Sequence, residues 1–148
     1  VGPIGDKKEF NESMNSMVEY LGIVGDEELS KLRKEAALCL VPNIYLENDD
    51  DFEAFCFVTI ESVSSGSLVV ASNYQGIPEA LLDGDLGYLA EPSDIESWTE
   101  NISLALNLTS KERQELIKKR SEILKNELSW EKLFKETYKL YSEVFRNE

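Results

Sequence analysis

The sequence has no histidine, and it has only two cysteines in 148 residues. Histidine is the usual general base near neutral pH and the commonest metal ligand, so any chemistry must rest on carboxylates, backbone dipoles or a bound substrate. The two cysteines, Cys39 and Cys56, are too few for a disulfide framework in a chain of this size. Their scarcity indicates a reducing compartment, and we expect a cytoplasmic protein.

Long apolar runs and basic residues are also scarce. The longest apolar runs, at residues 36–41 and 68–71, are far shorter than the roughly 20 residues that cross a bilayer, so membrane contact is not expected through this domain. Fifteen basic against 29 acidic side chains give a formal net charge of −14. Such a surface repels nucleic-acid phosphates and anionic lipid head groups, which removes nucleic acid from the expected partners.

The length of the chain predicts one domain over residues 1–148, because a chain of about 150 residues buries roughly 70% of its unfolded surface. No linker rich in glycine, serine or proline divides it. The sequence lacks an initiator methionine and opens on Val1-Gly2-Pro3-Ile4-Gly5, a pattern typical of a strand end followed by a turn. We therefore expect a piece of a longer protein.

Helices alternate with short apolar strands in the first half of the chain. The patterns predict helices over residues 6–15, 27–37 and 57–65 and strands over residues 17–21, 37–41 and 68–71. Asp26 is the expected N-cap of the second helix, and Gly66 is expected to end the third. The run at residues 37–41 is apolar at every position, which predicts a parallel strand buried on both faces.

The second half continues the alternation and ends in helices. A short helix is predicted at residues 76–79, a turn at 83–87, a strand at 88–90, and three closing helices capped by Ser93, by Thr109 with Glu112, and by Ser129. The last helix carries an apolar stripe that we expect to be packed: Trp130, Leu133, Phe134, Thr137, Tyr141, Val144 and Phe145. Trp98 and Trp130 are expected in the core.

Repeated strand–helix units predict an α/β fold, with an open parallel sheet wrapped by helices. In such folds ligands bind beyond the carboxyl ends of the strands. Glu53 and Glu61 stand eight positions apart in this region, across a junction between loop and helix. Backbone N–H groups at residues 55–57 suit an anion such as a diphosphate. On spacing alone, however, the favoured interpretation is that Glu53 and Glu61 are two surface acids beside a buried amphipathic helix.

The stretch from Glu53 to Glu61 resembles the Glu-x7-Glu motif of retaining GT-B glycosyltransferases, particularly those of family 4. Seven further segments, before and after this stretch, resemble segments of the family and stand in the same order. They are residues 18–24, 27–42, 65–72, 76–79, 83–84, 87–89 and 129–130. As an ordered set they cover about residues 1–148. The resemblance implies a Rossmann-like open parallel sheet flanked by helices, one half of a GT-B fold, which acts as the C-terminal nucleotide-sugar-binding domain.

The same resemblance implies roles for individual residues. Glu53 is the implied catalytic residue, where it touches donor-sugar hydroxyls and orients the sugar. The implied donor-binding residues are Ala54, Phe55, Cys56, Phe57, Glu61 and Ile23. Among them, Glu61 hydrogen-bonds the ribose hydroxyls, the amides of residues 55–57 face sugar and diphosphate, and Ile23 lines the base pocket. This chain departs from the family at Ala54 and Cys56, where the family usually or often has glycine.

The family's chemistry implies a nucleoside diphosphate sugar as donor, retaining transfer of a hexose to a hydroxyl acceptor, and glycan or glycolipid synthesis. No metal or other cofactor is required. The acceptor glycan or lipid would be bound by an N-terminal domain, and the basic pair that neutralises the departing diphosphate also lies upstream of Val1 in the family. The last helix of the family's two-domain enzymes often crosses back to that domain, which implies, as an alternative to a fully packed stripe, an uncovered interface over part of residues 138–145. Alone, this chain is expected to bind donor weakly and to transfer nothing.

Other interpretations compete with parts of this one. Asp49-Asp50-Asp51 could supply carboxylates to a divalent ion, but Glu47 and Asn48 separate it from the preceding strand, which favours a solvated acidic loop. Cys56 as a nucleophile would need a neighbouring base, so a packed or pocket-wall thiol is favoured. For the whole domain, a non-catalytic nucleotide-sugar-binding or interaction module stays open, and so does a nucleotide-sugar epimerase of related fold.

Overall fold

A computed structural model of the chain describes residues 1–2, 4, 7–44 and 52–146. The acidic stretch at residues 49–51 lies outside these ranges. The helices are α1 Lys7–Ser13, α2 Asp26–Glu35, α3 Phe57–Ser64, α4 Ile77–Ala80, α5 Ile95–Leu106, α6 Ser110–Glu127 and α7 Trp130–Arg146. The strands are β1 Cys39–Val41, β2 Val69–Ser72 and β3 Tyr88–Ala90, and a 3-10 turn spans Leu82–Gly84.

The three strands form one parallel sheet in the order β1-β2-β3. Val41 of β1 pairs with Ala71 of β2, and Ser72 of β2 pairs with Ala90 of β3, so the strands end close to the same edge. Every residue of the central strand β2 is buried. Helices join successive strands, as parallel pairing requires. The predicted fold class, a Rossmann-like parallel sheet flanked by helices, is confirmed.

The core lies on both faces of β2, because successive strand residues point to opposite sides. Val69 and Ala71 pack with α3, α4 and the C-terminal part of α6. Leu68 and Val70 pack with α5 and the N-terminal part of α6. Each fully buried aliphatic side chain of this kind contributes about 1.5–3 kcal/mol to folding. The first cluster fixes α3 against the sheet, and α3 carries the candidate site.

Two strand predictions are wrong in part or in whole. Residues 17–21 form no strand: the N–H of Val18 donates to the nearby carbonyl of Asn15 at 3.1 Å, in a turn and not in a ladder. Strand β1 forms within the predicted run, but it is an edge strand among the described residues and Leu40 is 50% exposed. Apolar composition alone does not reveal which side of a strand has a neighbour.

The helix ends have the predicted capping signals, except that two N-cap residues differ from the prediction by one position. Gly25 rather than Asp26 is the N-cap of α2, so Asp26 instead places its charge in the first turn. Asp94 rather than Ser93 caps α5, accepting from the N–H groups of Glu96 and Ser97, because Ser93 adopts a left-handed φ of 60°. The other predicted signals are confirmed: the capping box of Thr109 with Glu112, the Ser129 cap, and the stop at Gly66.

Helix α7 carries its apolar stripe on the surface. Trp130 is 82% exposed, so its prediction as a core residue is wrong, whereas Trp98 packs against the core as predicted. The stripe is exposed as a whole, and the expectation that it is packed is not met in this chain. Stacked Phe134–Tyr138 and Tyr141–Phe145 rings stabilise the helix locally. Among the described helices, none is both long and apolar enough to cross a bilayer.

Candidate functional site

Glu53 lies in the loop before α3 and closes the N-terminus of that helix. Its Oε1 atom accepts the N–H of Cys56 at 2.8 Å and the N–H of Phe55 at 3.4 Å. A carboxylate at this position satisfies amides that have no partner within the helix and also meets the positive end of the helix dipole. Cys56, the N-cap position, adopts a left-handed φ of 55° to make this turn. That conformation explains why glycine suits the position.

Gln75 and Gly76 hold this loop from the other side. The N–H of Glu53 donates to Gln75 Oε1 at 2.7 Å, and the N–H of Gly76 donates to the Glu53 carbonyl at 3.0 Å. A Cβ on residue 76 would lie 1.9 Å from the Ala54 carbonyl oxygen, so only glycine allows the two backbones to approach. Neither residue was predicted as a site residue, although Gly76 opens the segment 76–79, one of those that resemble the family.

The Cys56 side chain points into the core, where it is 4% exposed and packs with Val63, Ala71 and Ile77. Burial raises the pKa of its thiol, the Glu53 carboxylate raises it further, and the backbone contact with Thr59 opposes the rise. The prediction of a packed thiol is confirmed. Because the folded thiol keeps its proton to higher pH than the unfolded thiol, this contribution to stability is full below the unfolded pKa and declines as the pH rises towards the folded pKa.

Glu61 lies in the middle of α3 and forms an ion pair across to α2. Arg33 Nη2 donates to Glu61 Oε2 at 2.8 Å. The Arg33 side chain is only 14% exposed, whereas the Glu61 side chain is 55% exposed. The hydroxyls of Ser64 and Ser65 both donate to the Glu61 carbonyl, which ties that turn of the helix down. The carboxylate is thus held by a partly buried cation and is still reachable from solvent.

A groove of about 580 Å³ runs between α2, α3 and β1, within the usual size range for small-molecule sites. Its walls include Ile23, Val24, Leu29, Arg33, Val58 and Ser62. Glu61 lies on α3 between the two groove residues of that helix, and its partner Arg33 is itself in the wall. Ile23 thus lines the groove, whereas Glu61 is not part of the wall and is linked to it through its ion pair with Arg33.

The remaining predicted residues form a second cluster beside the groove, at the start of α3. Ala54 and Phe57 are exposed, and the rings of Phe55 and Phe57 meet edge to face at 5.4 Å between centroids. This cluster presents the helix N-terminus and the Glu53 carboxylate together. An anion can bind to such amides once the carboxylate moves away.

A second groove, of about 350 Å³, lies between the end of α2 and the α5–α6 connection. Lys34 and Arg113 line it, and Arg113 also donates to the Ala36 carbonyl at 3.2 Å. With two cations against one acid, Glu35, in its lining, it is a competing place for an anion. In the part of the chain that the structure describes, no group of three His, Cys, Asp or Glu side chains is arranged to hold a metal ion.

Comparisons with known proteins agree with the geometry. The family described as "Glycosyl transferases group 1" matches residues 7–122. The lipopolysaccharide 1,2-N-acetylglucosaminetransferase of Salmonella typhimurium is 41% identical over 80 residues, which are 53% of this chain and 20% of that protein. The O-antigen chain mannosyltransferase B of Escherichia coli is 31% identical over 124 residues, 84% of this chain and 30% of its own.

A solved structure shows the same fold. Sucrose-phosphate synthase from Thermosynechococcus elongatus superposes with a TM-score of 0.69 and 24% identity, covering 95% of this chain and 33% of that one. The chain spans about a third or less of each of these proteins. The predicted resemblance to the C-terminal domain of GT-B enzymes is confirmed. The chain belongs to the group 1 glycosyltransferase family.

Proposed function

We propose that this chain is the donor-binding domain of a retaining hexosyltransferase, with a nucleoside diphosphate sugar as donor and a hydroxyl group as acceptor. The observation that carries the proposal is the position of the family's two acids. Glu53 closes the N-terminus of α3, and Glu61 lies beside the groove that also contains Ile23. Sugar, diphosphate and nucleoside can thereby be bound in sequence along one helix.

In the proposed site, Glu61 binds the ribose of the nucleoside. An ionised carboxylate only accepts hydrogen bonds, and its two oxygens suit the vicinal hydroxyls of a ribose. Glu61 is more than half exposed, so a ribose can reach it, and Ile23 is 81% exposed and offers an apolar surface to a base. The groove is largely aliphatic apart from Arg33 and Ser62, which fits a flat base better than a phosphate chain.

The diphosphate and sugar bind at the start of α3. In the ligand-free structure Glu53 Oε1 occupies the amides of Phe55 and Cys56. We infer that donor binding exchanges these partners: phosphate oxygens take the amides, and Glu53 turns to the sugar hydroxyls. Preorganised amides and a helix dipole stabilise the charge that develops on a leaving diphosphate. Such electrostatic stabilisation of the transition state is usually the largest contribution to the rate.

In this proposal, Glu53 orients the sugar and does not attack it. Retention follows from front-face attack, with the donor phosphate helping to take the acceptor proton. The acceptor, a glycan or lipid, and the basic pair at the diphosphate belong to an N-terminal domain outside residues 1–148. The names of the relatives from Salmonella and Escherichia support glycan or glycolipid synthesis as the setting. The reaction needs no metal ion or other cofactor.

Nucleotide binding tests the proposal. We expect ligand-observed NMR to detect binding of one of UDP, GDP and ADP, and of its sugar conjugate, at millimolar concentration. Glu61→Ala should weaken both by about 10-fold or more, because a hydrogen bond to a charged group contributes about 1.5–3 kcal/mol. Glu115→Ala, which removes an exposed helix carboxylate that pairs with Lys111 alone among the described residues, is the matched control and should leave binding unchanged.

The competing function is a non-catalytic interaction module on the same fold. The exposed aromatic stripe of α7 is the observation that favours it, because large unpartnered apolar surfaces commonly mark protein contacts. If none of the three nucleotides binds, or if Glu61→Ala binds them as well as the unmodified chain, the donor-site proposal is wrong and the module is the better account.

A further inference from the structure

We propose that Arg33 is a positioning residue for nucleoside recognition: it fixes the Glu61 carboxylate so that the chain discriminates ribose from deoxyribose. This inference rests on the proposed function, since it assigns a partner to the residue that would bind the ribose. Arg33 lies on α2, 28 positions before Glu61, and nothing in the Glu-x7-Glu motif indicates it.

The geometry favours a fixed cation and an accessible anion. Arg33 is 14% exposed and Glu61 is 55% exposed, so the arginine side chain is mostly enclosed while the carboxylate faces solvent. The bond joins Nη2 to Oε2 at 2.8 Å, a normal length for a charge-assisted contact. A carboxylate has about four acceptor positions, so one donor from arginine leaves room for both hydroxyls of a diol.

The backbone around the pair is also fixed. Ser30 on α2 and Ser65 at the end of α3 approach within 3.4 Å through their hydroxyls, and Ser65 donates to the Glu61 carbonyl at 2.8 Å. Arg33 and Val58 share the groove wall with Ile23. A glutamate side chain in solution samples many rotamers, and holding one of them in advance removes an entropy cost from binding.

A purely structural ion pair predicts a different outcome. Partly exposed pairs of this kind contribute about 0–1 kcal/mol to stability, so losing the pair would lower the unfolding temperature slightly and leave ligand preference unchanged. A direct contact between Arg33 and the diphosphate predicts a third outcome, an equal loss of affinity for ribonucleotides and deoxyribonucleotides. The ratio of the two affinities separates these cases.

The experiment compares the best-binding diphosphate among UDP, GDP and ADP with its own 2′-deoxy form, by NMR titration. For the unmodified chain we expect the ribonucleotide to bind about 10-fold more tightly. Arg33→Gln should reduce this ratio to about 2, with a smaller fall in the affinity for the deoxynucleotide, which has only its 3′-hydroxyl to bond to Glu61. Arg33→Lys keeps the charge and the aliphatic stem but not the planar fork, and should give an intermediate ratio.

Lys31→Gln is the matched control, because Lys31 lies on the same helix and pairs only with Glu35, at 3.8 Å, among the described residues. In this variant the ratio of ribonucleotide to deoxynucleotide affinity should stay at about 10. An unchanged ratio in Arg33→Gln, or an equal fall in both affinities, would overturn the positioning role while leaving the donor site in place. Failure of the unmodified chain to bind any of the three nucleotides would instead remove the donor site and this inference together. If Arg33→Gln does not fold, Arg33→Lys decides alone, and a ratio still at 10 counts against the proposal.

Discussion

Replacing Gly76 with alanine is expected to destabilise the chain by about 3 kcal/mol and to abolish nucleotide-sugar binding. An added Cβ would lie 1.9 Å from the Ala54 carbonyl oxygen and 2.4 Å from its carbonyl carbon, both of them backbone atoms that cannot rotate away. The loop must therefore move, which breaks the 3.0 Å bond from Gly76 to the Glu53 carbonyl. Overpacking of this kind typically costs about 1–3 kcal/mol, occasionally more. Urea unfolding followed by tryptophan fluorescence measures the change.

Gly25→Ala is the matched control for this prediction. Nothing lies within 4 Å of a Cβ built on Gly25, and its φ of −74° is open to any residue. Because Gly25 is the N-cap of α2, alanine there should cost at most about 1 kcal/mol. If Gly76→Ala is no more destabilising than Gly25→Ala, the loop at Glu53 is not held by close backbone approach, and the account of how this site is positioned fails.

Glu53→Ala is expected to remove the contribution of the sugar to donor affinity without weakening the bare nucleoside diphosphate. In the ligand-free structure the carboxylate competes with phosphate for the amides of Phe55 and Cys56, so its removal frees them. The nucleoside diphosphate should bind equally well or up to several-fold more tightly. The sugar conjugate should lose about 10- to 100-fold, the range for hydrogen bonds to a charged group. Calorimetric titration with both compounds measures the two changes.

The cap that Glu53 provides also contributes to folding, and its loss should cost about 0.5–2 kcal/mol. Titrations must therefore be made where the variant is fully folded. Glu28→Ala removes another acid from the first turn of a helix, α2, and should change neither affinity. A Glu53→Ala variant that loses affinity for both compounds in equal proportion would mean that the carboxylate holds the loop and does not contact the sugar.

Much of the fold could be predicted because the central elements have local patterns. β2 is buried at every position and apolar up to Ala71, and the helices from α3 to α6 are marked by Gly66, by Pro78 and by the Thr109–Glu112 box. The errors arise where strand pairing and burial depend on which other elements lie beside a segment in the fold. Residues 17–21 have the composition of a strand but no ladder partner among the described residues, and Leu40 is exposed because β1 is at the edge there.

The candidate site was only partly predictable for a similar reason. Glu53 and Glu61 were found through an ordered set of segments that resembles a family, whereas spacing alone favoured two surface acids. Arg33, Gln75 and Gly76 were missed because their contacts join residues 28, 22 and 23 positions apart, which no local pattern reveals. A left-handed residue at Cys56 is likewise invisible in the sequence, although the family's preference for glycine there is consistent with it.

An amide chemical-shift map of the chain, titrated with the nucleoside diphosphate sugar that binds best, tests the donor site most directly. The proposal predicts that the largest changes fall on the amides of residues 55–57, on Ile23 and Arg33, which line the groove, and on Glu61, which pairs with Arg33. Changes concentrated instead on Lys34 and Arg113, in the second groove, would mean that the phosphates bind to surface cations and would contradict the donor site.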